Sequence, residues 1–190
     1  MERPLILAST SPRRRMLLAE LGVTFEIMAP TLEEECLNKA LPLPQALEAL
    51  AAAKAQSVAA QNPQALVLGA DTIVCKDGVV LGKPADAQEA AHMLRNLSGA
   101  THEVITAVAL CCGATKKMLT DHAVSQVRFR TLSDEEIQAY IETGEPFDKA
   151  GGYGIQSGGG KFVEALAGDF DNVVGLPMTL VRKMLDAWKE

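Results

Sequence analysis

Short apolar runs, uninterrupted by charge and separated by capped helices, constrain this chain more than any other feature. Leu5–Ala8 and Ala65–Ala70 contain no polar side chain. A run of that length without alternation reads as a strand buried within a sheet. After the first run comes Ser9-Thr10-Ser11-Pro12, then three arginines and an apolar set at Leu17, Leu18 and Leu21, with Gly22 beyond. Serine followed by proline marks a helix start, and glycine marks its stop. The first 22 residues therefore predict strand, turn and helix.

The same grammar continues downstream. Thr24–Met28 is a strand candidate, and Pro44 to about Gln61 keeps a helical period through Leu47, Leu50, Ala51 and Val58. Ile73–Cys75 and Val79–Leu81 flank Lys76-Asp77-Gly78, a hairpin signal. Asp86 with Glu89, and Ser133 with Glu136, have capping-box spacing and open two further helices, the second ending before Gly144. Val104–Cys112 and Ala123–Phe129 are strand candidates. A glycine-rich loop from Gly151 to Gly160 precedes a last strand and a Pro177–Trp188 helix. Strands and helices alternate but hairpins intervene, which predicts a mixed sheet in an α/β fold.

The chain has 190 residues, one domain's worth, so residues 1–190 are expected to form a single domain. With 48% apolar and 22% charged residues it has the composition of a globular protein. It has no apolar stretch long enough to span a bilayer, and its N-terminus lacks the pattern of a secretory signal, so no membrane association and a cytoplasmic location are expected. The net charge of −6 and an aromatic content of 4% do not suit a nucleic-acid binder. A polyanionic small molecule would need a local concentration of cations and backbone N–H groups. The four cysteines form no Cys-x-x-Cys pair and read as small buried hydrophobes.

Familiar motifs fail on register. Ahead of Gly160-Lys161 the P-loop glycine position holds Ile155, and ahead of Gly82-Lys83 it holds Asp77. No dinucleotide fingerprint follows the first strand. Three histidines without a Gly-x-Ser-x-Gly elbow do not suggest a serine hydrolase, and His92 reads as a mid-helix surface or boundary residue.

Three constellations remain. Ser9 to Arg14 places hydroxyls and guanidinium forks at a helix N-terminus, where unpaired N–H groups already favour an anion. Three arginines in a first turn also oppose the helix dipole, a frustration that a docked polyanion relieves; the alternative is a capped helix with a solvated basic turn. Asp71 follows an apolar strand, at the end where α/β sheets gather ligands. It is either a carboxylate that holds a cation or takes a proton from water, or a turn-forming Asp. Lys54, Lys83 and Lys149 are either cations converging on a site or separate surface lysines, Lys54 snorkelling from a helix boundary.

Read together, Leu7-Ala8-Ser9-Thr10-Ser11-Pro12-Arg13-Arg14, Gly69-Ala70-Asp71-Thr72-Ile73-Val74, Gly82-Lys83-Pro84, Leu97-Ser98-Gly99, Phe129-Arg130-Thr131-Leu132-Ser133, Asp148-Lys149-Ala150-Gly151-Gly152-Tyr153-Gly154-Ile155-Gln156 and Val173-Val174-Gly175-Leu176-Pro177 occur in this order. The chain closely resembles the Maf (septum-formation inhibitor-like) nucleotide pyrophosphatases, from about Leu5 to Leu185. The resemblance implies an inosine-triphosphatase-like α/β fold: a long mixed sheet with flanking helices, and two lobes around a central cleft. It implies a homodimer that takes a nucleoside triphosphate to the monophosphate and pyrophosphate with Mg²⁺ or Mn²⁺. Arg13, Thr72 and Gln156 resemble the branch acting on dTTP and UTP. The expected roles are Asp71 as the general base for water attack at the α-phosphorus, and Ser9, Arg13, Arg14, Lys54 and Lys83 on the phosphate chain. Glu33 and Asp71 are expected at the cation, and Thr72 and Gln156 at the base. Two alternatives share these residues: a house-cleaning pyrophosphatase for other modified nucleotides, and a nucleotide-binding regulator of septum formation or cell division.

Overall fold

A computed structural model describes residues 3–32 and 37–189. Seven strands form one mixed sheet: β1 (Leu5–Ala8), β2 (Phe25–Met28), β3 (Leu66–Lys76), β4 (Val79–Leu81), β5 (Thr101–Cys111), β6 (Met118–Phe129) and β7 (Val163–Ala167), in the order β2-β1-β3-β5-β6-β7 with β4 paired to β3. Helices α1 (Pro12–Ala19), α2 (Leu43–Ala59), α3 (Ala87–Leu97), α4 (Asp134–Glu142), α5 (Phe170–Val174) and α6 (Met178–Lys189) accompany it. Among the described residues, no helix is long and apolar enough to cross a membrane.

The sequence signals act locally as expected. The Ser11 hydroxyl accepts from the Arg14 N–H at the start of α1, and Pro12 occupies the first turn, where its missing N–H costs nothing. At α4 the capping box is complete: Ser133 accepts from the Glu136 N–H while Glu136 accepts from the Ser133 N–H. At α3 only half of it forms. Asp86 caps the Glu89 N–H, but Glu89 reaches back to the Ala85 N–H instead. Asp77 and Gly78 have φ of 51° and 79°, the two left-handed positions of a tight hairpin, joining β3 to β4 with Val74 opposite Leu81.

One expectation needs correcting. The apolar run ending at Ala70 and the segment beginning at Ile73 are one continuous strand, β3, so Asp71 lies within it. The chain stays extended because Thr72 and Ile73 are β-branched and β3 finds new pairing as it goes. It runs parallel to β1 only as far as Ala8 opposite Gly69, then pairs with β4 from Val74 onward. Asp71 therefore sits just beyond the end of the β1 ladder, and the strand-end logic survives in altered form.

The chain divides into two compact units. The first comprises Met1–Asp71, Thr106–Ala123 and Gly175–Glu190; the second comprises Thr72–Ile105 and Val124–Val174. Leu7, Leu18, Leu47, Val58, Leu68 and Leu110 are fully buried in the first. The second is built around Leu94, Leu97, Val127, Phe129, Ile137, Tyr140, Tyr153 and Phe162. Each such side chain contributes on the order of 1.5–3 kcal/mol by leaving water. Cys75, Cys111 and Cys112 are free buried thiols, in keeping with the lack of a Cys-x-x-Cys pair, and Cys36 lies outside the described residues.

Candidate active site

The first unit gathers charged side chains where β1 ends beside the continuing strand β3. β1 ends at Ala8, and Ser9 follows it, only 5% exposed. Its hydroxyl accepts from the Ser11 N–H at 3.1 Å and from the Arg14 guanidinium at 3.5 Å. The same guanidinium donates through Nε to the Gly175 carbonyl at 2.8 Å, which fixes its direction. Arg13 and Arg14 are half-buried, whereas Arg15 is exposed. The α1 N-terminus, a serine hydroxyl and two guanidinium groups are thus held on one turn, with no acidic side chain in the first turn of the helix.

On the neighbouring strand, Asp71 meets Lys54. The ammonium Nζ lies 2.7 Å from Asp71 Oδ1, and the Lys54 residue is only 6% exposed. Gly69 makes this meeting possible. A Cβ built there would fall 2.5 Å from the Ala51 carbonyl oxygen and 2.9 Å from the Ala55 nitrogen, so only glycine lets α2 come this close to β3. Strand residues two apart share a face. Gly69 and Asp71 therefore both face α2, and Lys54, between Ala51 and Ala55, reaches the carboxylate. Of the two readings left open for Lys54, the boundary lysine is the one that fails: it is buried and ion-paired.

The pleat sends Thr72 to the opposite face of β3, which it shares with Val74. In the second unit, Val74 is what Gly151 packs against, a Cβ on that glycine falling 2.9 Å from a Val74 methyl. The Gly151 N–H also donates to the Gly82 carbonyl at 2.9 Å, so the Gly82-Lys83-Pro84 turn is tied to the glycine-rich segment. Lys83 itself is exposed and Pro84 is buried. The segment continues through buried Tyr153 to Gln156, which is exposed; the Gly154 N–H donates to the Tyr140 hydroxyl at 3.2 Å. Lys149 is spoken for, its ammonium bonded to the Glu145 carbonyl and the Asp148 carboxylate. Ser9, Arg13, Arg14, Lys54 and Asp71 thus belong to the first unit, and Thr72, Lys83 and Gln156 to the second. Glu33 lies outside the described residues.

Two groups went unnoticed in the sequence. Glu48 on α2 with Asp121 and His122 on β6 bring one ligand atom each within 4.8 Å of one another, the group among the described residues able to offer three donors to a metal ion. Glu48 already accepts from Thr120 at 2.9 Å and lies 2.7 Å from His122 Nδ1. His102 on β5 is buried and lies 2.8 Å from the Tyr153 hydroxyl. In both cases the sequence offers only a histidine just ahead of a strand candidate, before Val104 and before Ala123.

Comparisons with known proteins find relatives along nearly the whole chain. A family model described as Maf-like protein matches residues 4–188. A Bacillus velezensis protein named dTTP/UTP pyrophosphatase is 50% identical over 190 residues, covering 100% of this chain and 97% of the relative. Proteins of the same name from Symbiobacterium thermophilum and Escherichia coli are 49% identical over 181 residues and 52% identical over 182. Each alignment covers 95% of this chain, with 92% and 91% of the relative.

Proposed function

The chain belongs to the Maf-like protein family, and from that premise we propose that it hydrolyses dTTP and UTP to the monophosphate and pyrophosphate. The observation that carries this reading is the Lys54–Asp71 pair at 2.7 Å, beside the strand end that bears Ser9 and Arg14. A sensor needs cations for phosphate; it does not need a carboxylate aimed by a buried ammonium.

The phosphate chain is assigned to the α1 N–H groups, Ser9, Arg13, Arg14, Lys54 and Lys83. Pyrophosphate leaves more highly charged than it was as an ester, so cations meeting the departing oxygens lower the barrier. Arg14, held by Gly175, presents its fork without having to reorganise. Asp71 aligns a water for attack at the α-phosphorus and takes its proton, while Lys54 keeps the carboxylate in place. Thr72 and Gln156 are assigned to the base, which suits their place on and beside the glycine-rich segment. Asp71, with Glu33, is the proposed holder of Mg²⁺ or Mn²⁺. A half-buried carboxylate at a phosphate site fits a hard ion that takes most of its ligands from water and substrate. When bound, that ion supplies charge neutralisation on the phosphate oxygens. Free buried thiols suit a reducing cytoplasm, and the protein is proposed to act there as a homodimer.

The test is a panel of natural and modified triphosphates with Mg²⁺ or Mn²⁺, assayed for pyrophosphate against orthophosphate. Pyrophosphate from dTTP and UTP is expected. Orthophosphate alone would place the attack at the terminal phosphorus and overturn the assignment. Faster turnover of a modified purine triphosphate would favour a house-cleaning role.

A further inference from the structure

His102 is the least expected side chain in the second unit. It is 2% exposed on β5, packed against the Phe129 and Tyr153 rings, and its Nδ1 is buried without a hydrogen-bond partner. A phenylalanine there would leave no such orphan. Burial, with Lys76 nearby, pushes its pKa down to about 4, so the ring is neutral at ordinary pH. Its Nε2 lies 2.8 Å from the hydroxyl of Tyr153, whose own pKa burial pushes well above its ordinary value. Phenol and imidazole, both neutral, share one hydrogen bond whose donor follows the imidazole tautomer.

This one bond reaches further than a core contact. The His102, Phe129 and Tyr153 rings meet edge to face, with centroids 4.7–5.4 Å apart. Tyr153 is thus held both by ring packing, which fixes its plane, and by His102, which fixes its tip. The residues on either side of it do the structural linking. Gly151 bonds to the Gly82 carbonyl next to Lys83, Gly154 is fixed by the Tyr140 hydroxyl, and Gln156 follows two residues on.

We propose that His102 is a positioning residue: through Tyr153 it sets the glycine-rich segment Gly151–Gln156, and so the selection of the base. The second half of this rests on Gln156 contacting the base, as proposed above. Rings alone tolerate a sliding fit, whereas a directional bond at the far end of Tyr153 does not.

The test is His102→Phe, which keeps a ring and removes the bond, alongside Tyr153→Phe and the double variant. In both single variants KM for dTTP is expected to rise roughly fivefold, the scale of one hydrogen bond. The preference for dTTP over dATP is expected to fall by a similar factor, while kcat changes by less than about twofold. The double variant should be no worse than either single one, because both remove the same bond. It also leaves no orphan phenol, so it keeps the test alive if His102→Phe folds poorly. Amide exchange of Gly151–Gln156 should accelerate while that of α3 and β6 does not. Unchanged exchange and unchanged KM in the variants would overturn the proposal, as would additive losses in the double variant or faster exchange with parental selectivity. Gln156→Ala separates the two readings. If it leaves selectivity intact while His102→Phe lowers it, the Gln156 assignment falls and the positioning role stands.

Discussion

The two units hold their functional groups by opposite means. In the first, Asp71, Lys54 and Arg14 are fixed by charge: an ion pair at 2.7 Å and a guanidinium bound to a carbonyl. In the second, the glycine-rich segment is fixed by uncharged groups: an imidazole, two neutral phenols and three close ring contacts. The contrast matches the proposed labour of each. Moving a proton and steadying a polyphosphate need charge, whereas telling a pyrimidine from a purine needs a cavity of fixed shape, which charge would only solvate.

Breaking the charged side should have the largest effect. Asp71→Asn removes the proton acceptor at nearly constant volume, and kcat should fall by about 10²–10⁴-fold with substrate binding retained. Parental kcat in that variant would remove Asp71 from its role. The uncharged side should show itself in stability against pH. His102 has a folded-state pKa of about 4 against an ordinary 6.5, so the unfolded chain takes up the proton first. This stability is complete above about pH 6.5 and is lost as pH falls towards 4, by on the order of 3 kcal/mol. Denaturant titrations from pH 7 to 4 should show the loss, and a smaller one in His102→Phe.

Gly69→Ala tests the geometry that joins α2 to the carboxylate. The new methyl falls on the Ala51 carbonyl, and overpacking of that kind costs about 1–3 kcal/mol. Thermal unfolding should register it, and kcat should fall as Lys54 is pushed off line. The smallest effect belongs to Ser133→Ala, which opens the α4 capping box, costs about 1 kcal/mol and leaves turnover unchanged. Together these variants sharpen the contrast: only changes on the charged side should move the chemical step itself.

What the sequence reveals follows from the range of the forces involved. The starts of α1 and α4 and the Asp77-Gly78 hairpin depend on neighbours within four residues, and they form as their signals direct. The continuity of β3 through Asp71 depends on pairing with β1 and then β4, which no local window contains. The half-made cap at α3 turns on which of two adjacent N–H groups Glu89 reaches. The five-residue helix α5 is too short to show a period. Within the site, Asp71 and the Ser9–Arg14 turn are legible from residue type and place. Lys54 is not, because its burial depends on a helix approaching Gly69, and a lysine beside an apolar stripe looks the same whether it snorkels or pairs. His102 escapes for a similar reason: the Tyr153 that gives it meaning is 51 residues away.

The bond from Arg14 to the Gly175 carbonyl spans 161 residues of chain. Thr72–Ile105 and Val124–Val174, the whole of the second unit, lie between the two partners along the chain. The guanidinium therefore gains its direction only when distant stretches of the first unit have come together, and not when the serine-arginine turn itself forms.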